Sequence, residues 1–169
     1  MEYQQLTGKL VILSPLREEH IEQYMTMFSP KVRYALHVTN PEAEKDYMRN
    51  SLSEMQAGKT LFYVIQDVSD GKLIGAVAIR DPQIYKGQLY SWLNEAYWGS
   101  GRYQEALMLI TNYYFQITKA LYITAHVDVS NMRSHRALKK HSWADAGISQ
   151  GPYGKQYELI LRNKTIPVL

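Results

Sequence analysis

A turn that contains two glycines precedes a run of helix-forming residues at Trp98–Leu107, with the sequence Trp-Gly-Ser-Gly-Arg-Tyr-Gln-Glu-Ala-Leu. The start of a helix presents unpaired backbone N–H groups and the positive end of the helix dipole, which suits a phosphate or pyrophosphate. Glycine lets the backbone approach an anion without a side chain in the way. The segment therefore predicts a phosphate-binding turn, although an ordinary loop has this composition more often.

The hydrophobic pattern places this turn within one α/β or α+β domain, residues 1–169. It predicts six strands, at Lys9–Ser14, Leu61–Val68, Leu73–Ile79, Leu89–Asn94, Leu121–Val127 and Tyr157–Leu161. It also predicts four helices, namely Arg17–Phe28 ended by Pro30, Pro41–Gly58 capped by Asn40, Gly101–Ile117 and Asn131–His141.

The segment Leu89–Val127 has the order of a strand, a crossover helix and a second strand. Such a connection is normally right-handed, and it makes the two strands parallel. The glycine turn then lies at the carboxyl end of the first strand, where ligands prefer to bind in open α/β sheets.

Composition excludes several classes of function. With 46% hydrophobic and 21% charged residues the chain is typical of a globular protein. There is no cysteine, no signal-peptide pattern and no apolar run long enough to cross a bilayer, so we expect a cytoplasmic protein with no membrane partner. The net charge is only +3 and the tyrosines lie mostly in strand-like segments, which disfavours nucleic acid. His126 and Asp128 lack a third ligand at suitable spacing, so no metal is expected.

Two motifs, in their order and separation, resemble the GNAT superfamily of acyl-CoA-dependent N-acetyltransferases, in particular the branch of the ribosomal-protein N-terminal acetyltransferases. The first is the strand Leu89–Leu93 followed by the turn at Tyr97–Gly101 and by Glu105-Ala106-Leu107. The second is Asn131–Ser134, similar to the Asn-x-x-Ser segment of that branch. The resemblance covers roughly residues 8–163. It implies a GNAT-like single domain with a central mixed, mostly antiparallel twisted sheet of six to seven strands and about four helices.

The resemblance implies that acetyl-CoA is the acyl-donor cosubstrate. Its pyrophosphate is expected on the helix start and its pantetheine arm beside the strand that ends at Asn94, paired like an added strand. A backbone N–H near Leu93 or Asn94 would stabilise the oxyanion. Arg136 and neighbouring basic residues would meet the 3′-phosphate of CoA, or they form a solvated basic face. The expected cofactor contacts are Trp92, Leu93, Asn94, Trp98, Gly99, Ser100, Gly101, Arg102, Tyr103, Gln104, Asn131 and Arg136.

The resemblance also implies direct attack of an amine on the thioester. Ser134 matches the family serine and is the candidate acid for the departing thiolate, unless it only bonds to backbone at the helix start. Glu95 is the candidate base, with a solvated loop carboxylate as the alternative. Asp81 is a further candidate near the acceptor entry, or simply a turn residue. Many relatives place a tyrosine four residues after the serine, where this chain has Leu138.

The acceptor is expected to be a primary amine of a protein N-terminus or of a small molecule. The alternative is a non-catalytic GNAT-like domain that binds CoA or a partner, and a homodimer is one conceivable assembly. Two residues depart from the family pattern. Tyr103 replaces a small residue in the pyrophosphate turn, so its side chain must point away from the anion or the turn must shift. Ser142 replaces a glycine that commonly supplies a left-handed helix end, at a cost of about 1 kcal/mol.

Overall fold

The computed structural model describes residues 3–83 and 86–166. Eight strands lie in this part of the chain: β1 Leu6–Thr7, β2 Val11–Pro15, β3 Thr60–Asp67, β4 Leu73–Gln83, β5 Lys86–Leu93, β6 Tyr122–Asp128, β7 Ala144–Gly151 and β8 Gly154–Arg162. The α-helices there are α1 Ile21–Met27, α2 Pro30–Ala35, α3 Pro41–Gln56, α4 Arg102–Ile117 and α5 Met132–Lys139. Short 3₁₀ helices lie at Glu18–His20 and Glu95–Tyr97.

The strands form one mixed sheet in the order β1-β2-β3-β4-β5-β6-β8-β7. Within the described residues, every neighbouring pair is antiparallel except β5 and β6, which are parallel as predicted from the crossover. The α/β class and the mostly antiparallel sheet are confirmed. The strand count exceeds the expected six to seven because β1 has only two residues and β7 is exposed along most of its length. Neither segment carries a detectable apolar alternation.

A helix that was not predicted, α2, follows the first predicted helix. Pro30 does not simply end the first helix, because it is also the first residue of α2. Ser29 caps α2, and its Oγ accepts a hydrogen bond from the Val32 N–H at 3.3 Å. Proline is favoured at the first helical position, where no intrahelical partner needs its missing N–H.

Alternate residues of β3 pack on opposite faces of the sheet, as expected for a central strand. Tyr63 and its alternate neighbours join a core formed with α4, whereas Phe62 joins a core formed with α1–α3. Tyr24 of α1 and Tyr114 of α4 are fully buried on these two faces. The helix α4 therefore covers one face and α1–α3 cover the other. None of the helices in the described part of the chain has the length and apolarity needed to cross a bilayer.

The sheet splits between its two parallel strands. β5 and β6 pair only at Lys86–Gln88 and Tyr122–Thr124. Beyond those positions β5 stays paired with β4 as far as Leu93, and β6 stays paired with β8 as far as Asp128. The diverging strands leave a gap that passes through the sheet and connects the α4 face with the α1–α3 face.

Candidate active site

A cleft of about 530 Å³ occupies the gap between β5 and β6. This volume lies within the usual range for small-molecule sites. Trp98–Ser100 and the start of α4 line it on one side of the sheet. Leu36 and His37, which follow α2, line it together with Tyr153 from the turn between β7 and β8. The cleft thus has two mouths, called here the α4 mouth and the α2 mouth.

The α4 mouth contains the predicted glycine turn. Gly101 is the N-cap of α4 with φ +81°, a backbone conformation that favours glycine. The first intrahelical bond here runs from the Glu105 N–H to the Gly101 oxygen at 3.1 Å. The N–H groups of Arg102, Tyr103 and Gln104 precede that bond, so they are the donors that a helix start leaves for an anion. The predicted glycine turn and the helix start that follows it are therefore present beside the cleft.

The side chain of Arg102 turns away from the cleft. Its Nε donates to Oδ2 of Asp67, and the Asp67 side chain is only 3% exposed. Hydrogen bonds from Ser69 and Arg102 lower the pKa of Asp67 to about 2. Neither Arg102 nor Gly101 is among the residues that line the cleft. The expected cofactor contact of Arg102 is thus limited to its backbone N–H.

Glu105 joins the start of α4 to the turn between β1 and β2. Its carboxylate accepts hydrogen bonds from the backbone N–H groups of Lys9, Leu10 and Val11 at 2.9, 2.7 and 2.8 Å. Gly8 allows this approach, because a Cβ at that position would lie 2.4 Å from Glu105 Oε2. Although burial raises the pKa of Glu105, the three N–H donors outweigh it and the pKa is lowered. The glutamate of the Glu-Ala-Leu motif therefore has a structural role.

Tyr103 extends from the helix start towards the sheet. Its hydroxyl lies 2.8 Å from the Oγ of Ser91 on β5, and both residues line the cleft. Burial raises the pKa of the Tyr103 hydroxyl. The Tyr103 side chain thus lies in the cleft wall on the β5 side, and Gly101 keeps the left-handed φ of the glycine turn.

The exposed edge of β5 offers backbone groups to the cleft. The Asn94 N–H donates to the Ile74 oxygen at 2.9 Å, which makes that position a hydrogen-bonded pair with β4. Because such pairs alternate in an antiparallel ladder, the N–H groups of Ser91 and Leu93 face the opposite edge, towards the cleft. The Leu93 oxygen on that edge accepts from Trp98 Nε1 at 2.7 Å. Of the two predicted oxyanion donors, the geometry retains Leu93.

The side chain of Asn94 forms hydrogen bonds within the fold. Its Nδ2 donates to the Met27 oxygen at 2.9 Å, and its Oδ1 accepts from the Ala96 N–H at 3.0 Å. It does not line the cleft. The side chain of Asn94 thus connects the end of β5 to α1 and to the following 3₁₀ helix, and its contact with a cofactor stays a prediction.

Arg133 and Trp98 form a wall between α5 and the glycine turn. The Arg133 guanidinium carbon lies 3.0 Å from the centroid of the Trp98 ring, and both residues line the cleft. Burial lowers the pKa of Arg133. A cation held on an indole face is stabilised by the ring quadrupole, and it also keeps positive charge beside the proposed anion site.

The second motif begins α5. Asn131 is the N-cap, and its Oδ1 accepts from the Ser134 N–H at 3.2 Å. Ser134, Asn131 and Arg136 all line the cleft. The capping role of Asn131 is confirmed, and the Ser134 hydroxyl stays a candidate acid.

The two predicted carboxylates lie elsewhere. Glu95 is outside the cleft lining, and its Oε2 accepts from Ser29 Oγ at the start of α2. That hydrogen bond lowers the pKa of Glu95, which weakens it as a base. Asp81 is also outside the lining and lies beside Tyr114. The structure therefore does not bring either candidate base to the cleft.

Trp92 contributes to a buried polar network on the α1–α3 face. Its Nε1 donates to the Tyr24 hydroxyl at 2.9 Å, and that hydroxyl donates to Glu44 Oε1 at 2.6 Å. The Tyr90 hydroxyl lies 3.3 Å from the same oxygen. Glu44 is 6% exposed, and burial raises its pKa. Sequence patterns give no signal for this network, because its members come from three separate elements.

The α2 mouth contains a histidine and an aspartate that the sequence analysis did not connect. His37 Nε2 bonds to Oδ2 of Asp128 at the end of β6, and the His37 ring stacks on Tyr153 with centroids 4.1 Å apart. His126 instead lies 3.6 Å from Glu158. Within residues 3–83 and 86–166, no group of three or more His, Cys, Asp or Glu side chains is arranged to hold a metal ion.

A sheet that splits between two parallel strands beside a glycine-started helix defines an acyltransferase fold of the GNAT type. The family model of the acetyltransferase (GNAT) domain matches residues 11–142, more than half of the chain. The chain belongs to this family, whose members use acetyl-CoA. No curated protein sequence matches the chain significantly.

Solved structures with the same fold include ribosomal-protein acetyltransferases. One is the acetyltransferase that modifies the N-terminal serine of 50S ribosomal subunit protein L7/L12 from Salmonella typhimurium, with TM-score 0.85 and 13% identity, covering 95% of this chain and 100% of that one. RimL in complex with coenzyme A has TM-score 0.80 and 13% identity, covering 94% and 98%. A GCN5-related N-acetyltransferase from Brucella melitensis has TM-score 0.76 and 18% identity, covering 96% and 80%. At these identities the likeness shows the fold.

Proposed function

We propose that this chain transfers the acetyl group of acetyl-CoA to a primary amine, by direct attack in a ternary complex. The observation that carries the proposal is the cleft through the sheet, which joins an anion-binding helix start at one mouth to a second, separate mouth. Two substrates that approach from opposite faces can therefore meet inside it. Membership of an acetyltransferase family supports the choice of donor.

In this proposal the α4 mouth takes the CoA moiety. The N–H groups of Arg102, Tyr103 and Gln104 receive the pyrophosphate, and the helix dipole adds a favourable field. The pantetheine arm pairs with the open edge of β5 at Ser91 and Leu93, as an added strand does. Arg136 lines the cleft on the opposite wall, where its charge suits the 3′-phosphate.

The acetyl transfer needs stabilisation of an oxyanion and protonation of a thiolate. The N–H groups on the cleft edge of β5 supply fixed donors for the oxyanion. The amine nitrogen forms a bond to the thioester carbon and gives a proton to water or to a base at the cleft, and the carbon–sulfur bond breaks with its electron pair on sulfur. The Ser134 hydroxyl then gives a proton to that thiolate and recovers one from solvent.

The acceptor approaches through the α2 mouth. Val32, Leu36 and Pro152 give this mouth an apolar lining, and Tyr153 is 64% exposed beside it. An apolar wall with an exposed aromatic suits a peptide or a small amine with an uncharged body. The primary amine of a protein N-terminus fits these features, and the ribosomal-protein acetyltransferases with this fold act on such a group.

Calorimetry with acetyl-CoA tests the donor site. Gln104→Glu adds a carboxylate where the pyrophosphate would bind. In the absence of that anion, an acidic residue in the first turn stabilises a helix, so the variant should fold. We expect acetyl-CoA affinity to fall about tenfold or more, since one unfavourable charge contact exceeds roughly 1.4 kcal/mol in a partly shielded site. Gln23→Glu is the matched control, because Gln23 is likewise the third residue of its helix, α1, is exposed and lies outside the cleft.

The outcomes separate the enzyme from its alternative. No heat with millimolar acetyl-CoA would refute the donor site. Binding without thiol release, over a panel of serine-initiated peptides and small primary amines, would instead support a non-catalytic CoA-binding domain. Thiol release that depends on a free amine supports the transferase.

A further inference from the structure

Three elements hold the His37 imidazole at the α2 mouth. Its Nε2 bonds to Asp128 of β6, and its ring stacks on Tyr153 of the β7–β8 turn at an interplanar angle of 17°. Gln156 of β8 donates from Nε2 to the second oxygen of Asp128 at 2.9 Å. His37, Asp128, Tyr153 and Gln156 all line the cleft. The ring is thus oriented from two sides while it remains open to the cleft, with 36% of its side chain exposed.

The hydrogen bonds assign the tautomer of His37. Burial raises the pKa of Asp128, but hydrogen bonds from His37 and Gln156 outweigh it and the pKa is lowered. Asp128 is therefore a carboxylate that can only accept, so His37 Nε2 carries the hydrogen. In the neutral ring Nδ1 then holds the free lone pair, which is the arrangement of a histidine base oriented by an aspartate.

The backbone at His37 is set by its place directly after the C-cap of α2. Its φ is +57°, in the left-handed region that non-glycine residues rarely adopt. This conformation ends α2 in the common Schellman arrangement, in which the His37 N–H donates to the Tyr34 oxygen at 3.2 Å and the Val38 N–H donates to the Arg33 oxygen at 2.9 Å. The end of α2 thus directs the His37 side chain to a mouth of the cleft.

We propose that His37 is the general base for the acceptor amine and that Asp128 is its positioning residue, an inference that rests on the proposed acetyl transfer. Nδ1 of His37 takes a proton from the acceptor nitrogen as that nitrogen forms its bond to the thioester carbon. The carbon–sulfur bond breaks with its electrons on sulfur, which Ser134 or water protonates. The imidazolium returns its proton to solvent after the amide leaves.

The pH dependence of this step has identifiable contributors. Asp128 from β6 and Tyr153 from the β7–β8 turn are the titratable groups in contact with the ring. Arg33 and Tyr34 precede it on α2, and from α5 Arg136 lines the same cleft. The step needs the unprotonated Nδ1, so the rate should fall towards acidic pH.

Two substitutions at His37 respect its backbone. Asparagine tolerates a positive φ but cannot take the proton, and glycine removes both the strain and the ring. With acetyl-CoA and a serine-initiated tetrapeptide, His37→Asn should lower kcat/KM about 100-fold and remove the acidic limb of its pH profile. Added imidazole should restore part of the rate of His37→Gly. Asp128→Asn should lower kcat by about tenfold, in line with the usual loss from an outer hydrogen-bond partner.

The control is a second histidine–aspartate pair. His135 Nε2 lies 2.7 Å from Asp145, and its ring is 4.4 Å from that of Tyr157, but His135 does not line the cleft. His135→Asn should leave kcat/KM and the pH profile unchanged. Acetyl-CoA affinity should be the same in all these variants.

Imidazole nitrogen NMR gives a readout that does not need turnover. Neutral His37 should carry its hydrogen on Nε2, and Asp128→Asn should perturb that tautomer. An Nδ1–H tautomer in the wild type would overturn the inference, as would an active His37→Asn with an unchanged pH profile. If no amine is acetylated by the wild type, the proposed function fails, and the tautomer still decides the arrangement at His37.

Discussion

The carboxylate of Glu105 should be among the most stabilising groups outside the core. Glu105→Gln leaves an isosteric side chain at the same place but removes the charge that three backbone N–H groups share. One of the two amide positions then presents hydrogens to those donors instead of a lone pair. Glu42→Gln is the matched control, because Glu42 is an exposed residue in the first turn of α3. The control loses the same favourable interaction with a helix dipole.

The size of the effect follows from the bonds. A hydrogen bond to a charged group contributes about 1.5–3 kcal/mol. Two of the three donors, Lys9 and Leu10, are exposed and can bond to water once released. The net loss should therefore be that of one to two such bonds, about 3 kcal/mol. For a chain of 169 residues this lowers Tm by roughly 6–12 °C.

Chemical denaturation and thermal unfolding measure this loss. The pKa of Glu105 is lowered in the folded protein, so its contribution is present above the ordinary glutamate pKa and is lost as pH falls through the folded value. The difference between Glu105→Gln and wild type should thus shrink between pH 7 and pH 3. A loss under about 0.5 kcal/mol at pH 7, similar to Glu42→Gln, would refute the reasoning.

Three further predictions concern single side chains. Ser142 has φ +64°, so Ser142→Gly should stabilise the fold by about 0.5 kcal/mol after the entropy of the unfolded glycine is subtracted, and a lower midpoint in urea would contradict this. Glu44 has a raised pKa in the fold, so its contribution to stability is present at low pH and is lost as pH rises through that pKa. The stability of Glu44→Gln relative to wild type should therefore increase between pH 4 and pH 8. A constant difference would count against the buried carboxylate. Ser134→Ala should lower kcat about 100-fold with acetyl-CoA affinity within about twofold, and unchanged turnover would remove Ser134 from the mechanism.

The parts of the fold that sequence predicted are those with local signals. Hydrophobic periodicity predicts the crossover unit. The turn at Gly101 is predicted because a left-handed backbone conformation favours glycine. The left-handed conformation of Ser142 was predicted from the family pattern in the same way. Pro30 was interpreted only as a helix end, although the preceding Ser29 is a helix cap.

The candidate site was less accessible because its polar contacts are long-range. His37 and Asp128 are 91 residues apart, and Trp92 meets Tyr24 across 68 residues. No periodicity relates such positions, so their pairing depends on the sheet order and on where α2 ends. The side chain of Arg102 illustrates the same limit: its position at the helix start was predicted, but its direction was set by Asp67 on a distant strand.

The narrow junction between β5 and β6 also has a mechanical consequence. Only three paired positions connect the strands β1–β5 with the strands β6–β8 in the described residues, so few hydrogen bonds hold the two parts of the sheet together. Amide hydrogens of Ser91 and Leu93 on the open edge should exchange rapidly with solvent in the free protein. A pantetheine chain paired with that edge would connect the two parts of the sheet. Slower amide hydrogen exchange in both parts would then report its binding.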